Sequence, residues 1–408
     1  MSIQVSRIKG IPIRLHFTLV IVFFLITWTL ATQFMPHQYP ELTSLEYWIM
    51  GGIGAAILFI SILLHELAHS IVATRYGLKV RQIVLFIFGG VSDIEEEEQI
   101  TTDFRKEFKI AVAGPATSFV LAAIFASVWW VTSLFQGNSG NGSIMAGGGS
   151  NVIIMMAEGV FFYSAIVNLL LGTFNLIPAF PLDGGRILRA GLVKWKKDYD
   201  QATKVSVKIG IWISYGFMGF GFLSMLSGSF TGGLWLILIG WFLNNAAQSY
   251  LYDRELMSIL SGVRLQDIMN TRVISVREGT KADELLKNYF NGYMKSAFPV
   301  LRIKDSIIDN LHIHNLLLGM VTLKEVHDVP EYKKHVINVG EIMIPRNRLI
   351  VMESNRMADE ALAQMMRRRL GKVFVTDKEG KKLLGLISKT DIMNVAAERR
   401  EYVESVKR

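Results

Sequence analysis

Long apolar runs separated by short polar connections fill the chain from about Ile11 to Leu251; beyond about Tyr252 the pattern changes to short segments with frequent Lys, Arg, Glu and Asp. Six runs, at about 15–35, 48–75, 108–135, 152–177, 206–228 and 232–251, are each long enough to cross a hydrocarbon core of about 30 Å as a helix. Basic residues lie before the first run, between the second and third (Arg75, Lys79, Arg81, Arg105, Lys106, Lys109), after the fourth (Arg186, Arg189, Lys194, Lys196, Lys197) and after the sixth. The segments 36–47, 136–151 and 229–231 carry none. This alternation follows the positive-inside rule and predicts cytoplasmic termini on a multi-pass protein of the cell membrane. Arg7, Lys9 and Arg14 precede the first run, which lacks a small-residue cleavage site and reads as a retained anchor.

Two connections are unusual. From Arg81 the chain reads Arg81-Gln-Ile-Val-Leu-Phe-Ile-Phe88-Gly89-Gly90-Val-Ser-Asp, β-rich and too short to span. It predicts either a short re-entrant β segment beside the second span or a loop at the membrane surface. The run Glu95 to Glu98 reads as a solvated loop, and Gln136 to Asn151 as a flexible external loop with the sequon Asn141-Gly-Ser143. The other unusual connection follows the fourth run, where Asn175-Leu-Ile-Pro178-Ala-Phe-Pro181-Leu-Asp183-Gly184-Gly185 cannot continue a helix and leaves backbone groups free at membrane depth.

Composition narrows the chemistry. A chain of 408 residues, 51% hydrophobic, is too apolar for one soluble domain, so a membrane part (1–255) and a soluble part (256–408) are expected. The net charge of +8 is accounted for by basic residues flanking the spans, and no nucleic-acid partner is expected. There is no cysteine, so any metal must be held by His and carboxylates.

The second run contains Ser61-Ile-Leu-Leu-His65-Glu66-Leu-Ala-His69-Ser70. On a helix, His65 and His69 project from one face one turn apart, where both can hold one metal ion. Glu66 stands beside them, as in zinc hydrolases where a carboxylate takes a proton from water activated by the metal. In hydrocarbon such groups cost about 2 to 4 kcal/mol each unless something uses them. The alternative is a chance pattern bonded to a neighbouring helix. Depth supplies a third ligand: His65 lies about 15 Å above the cytoplasmic Arg75 by helix rise, and Asp183 lies just before Arg186 near the same side. Two imidazoles, one carboxylate and an open position are the ligand set of a catalytic zinc. Asn175 reads as a partner for a peptide carbonyl or as a helix–helix hydrogen bond.

The soluble part repeats itself. Asp267-Ile-Met-Asn270 aligns with Glu341-Ile-Met-Ile344, and Gly319-Met-Val-Thr322-Leu-Lys-Glu325 aligns with Gly385-Leu-Ile-Ser388-Lys-Thr-Asp391. Each unit (about 262–327 and 336–400) reads helix, strand, helix, strand, strand, helix, with one face too apolar to stand alone, so the two should pack together.

The paired motifs around His65-Glu66-Leu-Ala-His69 and Asn175-x-x-Pro178-x-x-Pro181-Leu-Asp183-Gly184-Gly185 resemble the site-2 protease family of intramembrane zinc metalloproteases. Gly10-Ile-Pro-Ile-Arg-Leu-His16, Phe88-Gly89-Gly90 and Ala113-Gly114-Pro115 are similar to that family as well, so the resemblance covers about residues 1–250. The repeat resembles a tandem pair of CBS domains. The resemblance implies an α-helical membrane protein of six transmembrane helices with a short re-entrant β segment, plus a cytoplasmic α/β tandem CBS domain. It further implies regulated intramembrane proteolysis: one Zn2+ per chain on His65, His69 and Asp183, Glu66 as general base, Asn175 holding the scissile carbonyl, and a substrate transmembrane segment unwound along Phe88, Gly89 and Gly90. For the CBS pair it implies an adenine nucleotide (ATP, ADP or AMP), with Thr322 and Ser388 near the phosphates and Asp391 at a ribose, or a homodimer formed without ligand. Glu325 stands where that pattern prefers Asp. The competing class is a nucleotide-gated metal-ion transporter, against which the ionisable groups cluster at one depth.

Overall fold

Lys9 (φ 49°) and Gly10 (φ 83°) form a two-residue turn of the kind that closes a hairpin, joining β1 (Ser2–Ile8) to β2 (Ile11–His16). The structure is a computed structural model that describes residues 2–87, 89–94, 103–137, 148–196, 198–303, 315–380 and 382–406. Phe88, the Glu95 to Glu98 run and the Asn141 sequon lie outside the described residues. The chain divides into two units, Met1–Leu251 and Tyr252–Arg408.

The helices that begin in the first unit are α1 (Thr18–Gln38), α2 (Ser44–Arg75), α3 (Phe104–Gly137), α4 (Gly148–Asn175), α5 (Asp183–Lys196), α6 (Tyr199–Leu226) and α7 (Phe230–Leu260). All but α5 are long and apolar enough to cross a membrane, six among the described residues, which makes this a helical membrane protein. Trp212, Phe220 and Phe222 on α6 and Trp235 on α7 remain exposed, an apolar surface suited to lipid. A capping box between Thr43 and Glu46 starts α2.

Two further strands, β3 (Val80–Phe86) and β4 (Gly89–Ile94), form an antiparallel hairpin, and β2 pairs with β3 in parallel to complete one sheet in the order β1-β2-β3-β4. A parallel pair needs a long crossover, here supplied by α1 and α2. Ile11, Ile83 and Leu85 are buried against Leu67, with Leu63 and Ile71 packed beside them, so the residues of α2 at i, i+4, i+8 face the sheet. His65 and His69 lie on a different face of the same helix. Ile11, Ile13 and Leu15 alternate after the Lys-Gly turn, so the segment carrying Arg7, Lys9 and Arg14 is a strand hairpin as well as a source of flanking charge.

The second unit contains α8 (Leu265–Ile268), β5 (Val276–Arg277), α9 (282–293), β6 (Ala297–Ile303), β7 (Asn315–Thr322) and α10 (Leu323–His327). The same order, with the short strand β8 added, returns in α11 (Val339–Ile342), β8 (Ile344–Pro345), β9 (Ile350–Glu353), α12 (Ala358–Arg368), β10 (Lys372–Thr376), β11 (Leu383–Ser388) and α13 (Lys389–Val406). The sheets are β5-β6-β7-β8 and β11-β10-β9. Each repeat lends its leading segment to the other's sheet: Ile344 pairs with Met320, and the aligned Asn270 pairs with the aligned Leu386. That exchange is how two faces unable to stand alone are buried together.

Candidate metal centre

His65 and His69 are each only 4% exposed. The break after α4 brings Asp183 to them: Prolines 178 and 181 end the helix, the chain turns through Ala179 and Leu182, and α5 begins at Asp183. Gly184 makes the turn this tight, since a Cβ there would overlap the carbonyl oxygens of Leu176 and Ile177. Asp183 Oδ2 then lies 3.1 Å from His65 Nε2 and 3.0 Å from His69 Nε2. Among the described residues, these three form the one group of His and carboxylate side chains close enough together to hold a metal.

The hydrogen bonds behind the rings set what the facing atoms can do. His69 Nδ1 donates to the Ile110 carbonyl at 2.7 Å, and a carbonyl only accepts, so Nδ1 carries the proton. In the neutral ring Nε2 is therefore a bare lone pair. Ser118 Oγ, buried on α3, stands 2.9 Å from His65 Nδ1 and accepts its proton when His65 Nε2 is likewise free. Two nitrogen lone pairs and a carboxylate oxygen at about 3 Å repel one another unless a cation lies among them. The donor set, with one position left open and partners that fix ring orientation, fits a catalytic zinc.

Space for that cation comes from Gly114. A Cβ at this position would sit 2.5 Å from His65 Nε2 and would also overlap His69 Nε2. Gly114→Ala is therefore expected to lower zinc affinity by at least about tenfold while the helices remain formed, checked by elemental analysis beside circular dichroism. Undiminished zinc in that variant would mean that the rings do not converge there.

Glu66 meets β4, where Ser92 Oγ donates to its Oε2 at 2.7 Å. Gly90 leaves room for it, because a Cβ there would overlap Glu66 Cγ. Gly89 and Gly90 thus occupy the strand beside the carboxylate. Asn175 ends α4 with Nδ2 donating to Leu171 O at 2.8 Å, so one amide hydrogen is used within its own helix. Arg189 departs from the sequence reading. Counted among the loop charges that orient the spans, it is instead 2% exposed, with Nε donating to Glu107 at 2.7 Å and Nη1 to Tyr250 at 2.8 Å. Its guanidinium lies over the rings of Phe180 and Tyr199. The charge pins α5, and with it Asp183, to α3.

In the second unit Thr322 and Glu325 form a capping box at the head of α10, and Ser388 and Asp391 make the matching bonds at α13, with Ser388 N and Oγ donating to Asp391 Oδ2 at 2.8 and 2.7 Å. Glu325 in place of Asp serves that cap as well. Thr322 also lines a cleft of about 300 Å3 with Met320, Ile350, Phe374, Ser296 and Lys372. Glu325, Ser388 and Asp391 are not among its lining. Burial, and then the nearby Lys295, hold the Lys372 amine below the ordinary lysine range.

The comparisons with known proteins agree in both units. A family model described as peptidase family M50 matches residues 53–217, an interval containing His65, Glu66, His69 and Asp183, and a CBS domain model matches residues 339–398. Rip3 of Mycobacterium tuberculosis is 30% identical over 394 residues, covering 96% of this chain and 92% of its own. Zinc metalloprotease MJ0392 of Methanocaldococcus jannaschii is 30% identical over 396 residues, covering 96% and 95%. A solved site-2 protease from Methanocaldococcus jannaschii superposes with a TM-score of 0.40 at 32% identity, covering 61% of this chain and 94% of that one.

Proposed function

The chain belongs to peptidase family M50, the site-2 type of intramembrane zinc metalloprotease, and from that premise we propose that His65, His69 and Asp183 hold its zinc and that Glu66 is its general base, acting on transmembrane segments of membrane proteins. The observation that carries the residue assignment is the meeting of His65 Nε2, His69 Nε2 and Asp183 Oδ2 around one point, with the Glu66 carboxylate on the same helix as the two imidazoles. Bound there, zinc supplies Lewis acidity, which polarises a peptide carbonyl and acidifies water. The protein's own groups do the rest. Glu66 takes the proton from the attacking water and returns it to the leaving amine. The second amide hydrogen of Asn175 donates to the scissile carbonyl. Gly89 and Gly90 offer an extended strand to a substrate segment that must leave its helix before water can reach its backbone.

Positive-inside charges support cytoplasmic termini, and the depth of Asp183 supports a site in the cytoplasmic half of the bilayer. The second unit binds an adenine nucleotide, through which cleavage responds to cellular energy state; Thr322 and Lys372 face the phosphates in the cleft described above. A phosphate beside Lys372 favours its charged form and raises its pKa, so nucleotide binding at alkaline pH is expected to take up a proton. Titration calorimetry with ATP, ADP and AMP in two buffers of different ionisation enthalpy measures this; equal heats would remove Lys372 from the site. The protease reading itself is tested on membranes of cells with and without the chain. New peptide termini inside transmembrane segments, appearing only with the intact chain, are the expected result; identical termini in both would overturn it.

A further inference from the structure

In the order β1-β2-β3-β4, the outer edge of β4 has no partner strand among the described residues. Its residues alternate across the sheet, so Gly90 and Ser92 share the face toward α2. On α2, Glu66 and Ser70 are one turn apart on the face that meets them. Ser70 Oγ donates to Ser92 Oγ at 3.2 Å, and Ser92 Oγ donates to Glu66 Oε2 at 2.7 Å. Ser92 Oγ also lies 3.2 Å from the backbone oxygen of Glu66.

We infer that Ser92 is a positioning residue for the general base: its hydroxyl fixes the Glu66 carboxylate, so that the strand an extended substrate would join also carries the group that aims the base. This rests on the reading of Glu66 proposed above. A carboxylate on a three-torsion side chain has many rotamers, and one charge-assisted hydrogen bond from a strand selects among them. Gly90 clears the volume on one side of the carboxylate's stem, while Ser92 holds its tip. A peptide added along the free edge of β4 pairs with the backbone of residues 89–94 and reduces the strand's freedom to shift relative to α2. Substrate docking and base orientation are then one event.

The matched variants are Ser92→Thr, which keeps the hydroxyl, and Ser92→Val, which has the same shape without it. Both are β-branched and suit a strand, so a difference between them reports the hydroxyl and not the packing. The probe is a leucyl-glycyl hydroxamate, whose zinc-binding group needs a carboxylate to accept its hydroxyl proton and whose backbone is extended. Its affinity for the zinc-loaded full chain is measured for wild type, both Ser92 variants and Glu66→Gln. A second readout is the visible spectrum of the cobalt-substituted proteins, which follows the surroundings of the metal and needs no turnover.

Ser92→Val is expected to weaken the hydroxamate by about tenfold, the scale of one lost hydrogen bond to a charged group, and to move the cobalt bands as Glu66→Gln does. Ser92→Thr should retain wild-type affinity and bands. If Glu66→Gln weakens binding while Val and Thr at position 92 both match wild type, the positioning role is overturned and the base assignment stands. If Glu66→Gln has no effect on affinity or spectrum, the base assignment falls, and the role of Ser92 falls with it.

Discussion

Glu66→Gln is expected to abolish cleavage while leaving one zinc per chain. The substitution keeps the size of the side chain, the clearance at Gly90 and an oxygen that can accept from Ser92, and it touches none of the three convergent ligand atoms. What it removes is the ability to take a proton at neutral pH. General-base catalysis contributes about 10²- to 10⁴-fold, so the residual rate should fall by that factor at unchanged metal content. Elemental analysis and product formation on the same preparation separate the two effects. Retained proteolysis with zinc in place would assign proton transfer to another group. Loss of zinc together with activity would mean that Glu66 supports the ligands rather than the water.

How much of this was readable in the sequence depended on how local each feature is. The His65/His69 pair needs only one helix, and its spacing places both rings on one face whatever surrounds it. Asp183 is more than 110 residues away, yet Pro178, Pro181 and the two glycines mark a chain that must stop being helical beside it. The six spans were legible for the same reason, since a bilayer imposes length and polarity on each separately. The helix α5 was not, because its alternating basic and apolar residues lie between two spans and read there only as flanking charge. Arg189 shows the limit of charge counting: a basic residue near a span can orient it or be buried in a pair, and only the position of Glu107 on another helix decides. Ser118 and Ser92 carried no sequence signal, because one serine on an apolar element looks like any other until the ring or carboxylate it meets is known. The repeats were visible by self-alignment, but the reciprocal loan of β8 and the Asn270 segment requires the folded pair.

Asp183→Ala is expected to lower zinc affinity by at least about 100-fold, beyond the 10- to 100-fold that follows loss of a merely supporting partner of a ligand. The fold should survive. Asp183 stands in the first turn of α5, where a carboxylate stabilises a helix by about 0.3 to 1 kcal/mol, and the helix stays pinned through Arg189 to Glu107 and Tyr250. A small structural cost set against a large loss of metal makes the variant a clean probe. Asp183→Asn sharpens it: the amide keeps the shape and one oxygen but no charge, and its nitrogen can instead donate to a bare Nε2, tying up the lone pair that zinc requires. It should therefore bind zinc little better than the alanine variant. Competition against a chelator of known affinity measures all three proteins on one scale. Near-wild-type affinity in both variants would leave His65 and His69 sharing a metal whose third ligand comes from elsewhere, and Asp183 would then be a helix-terminal carboxylate bonded to two imidazoles.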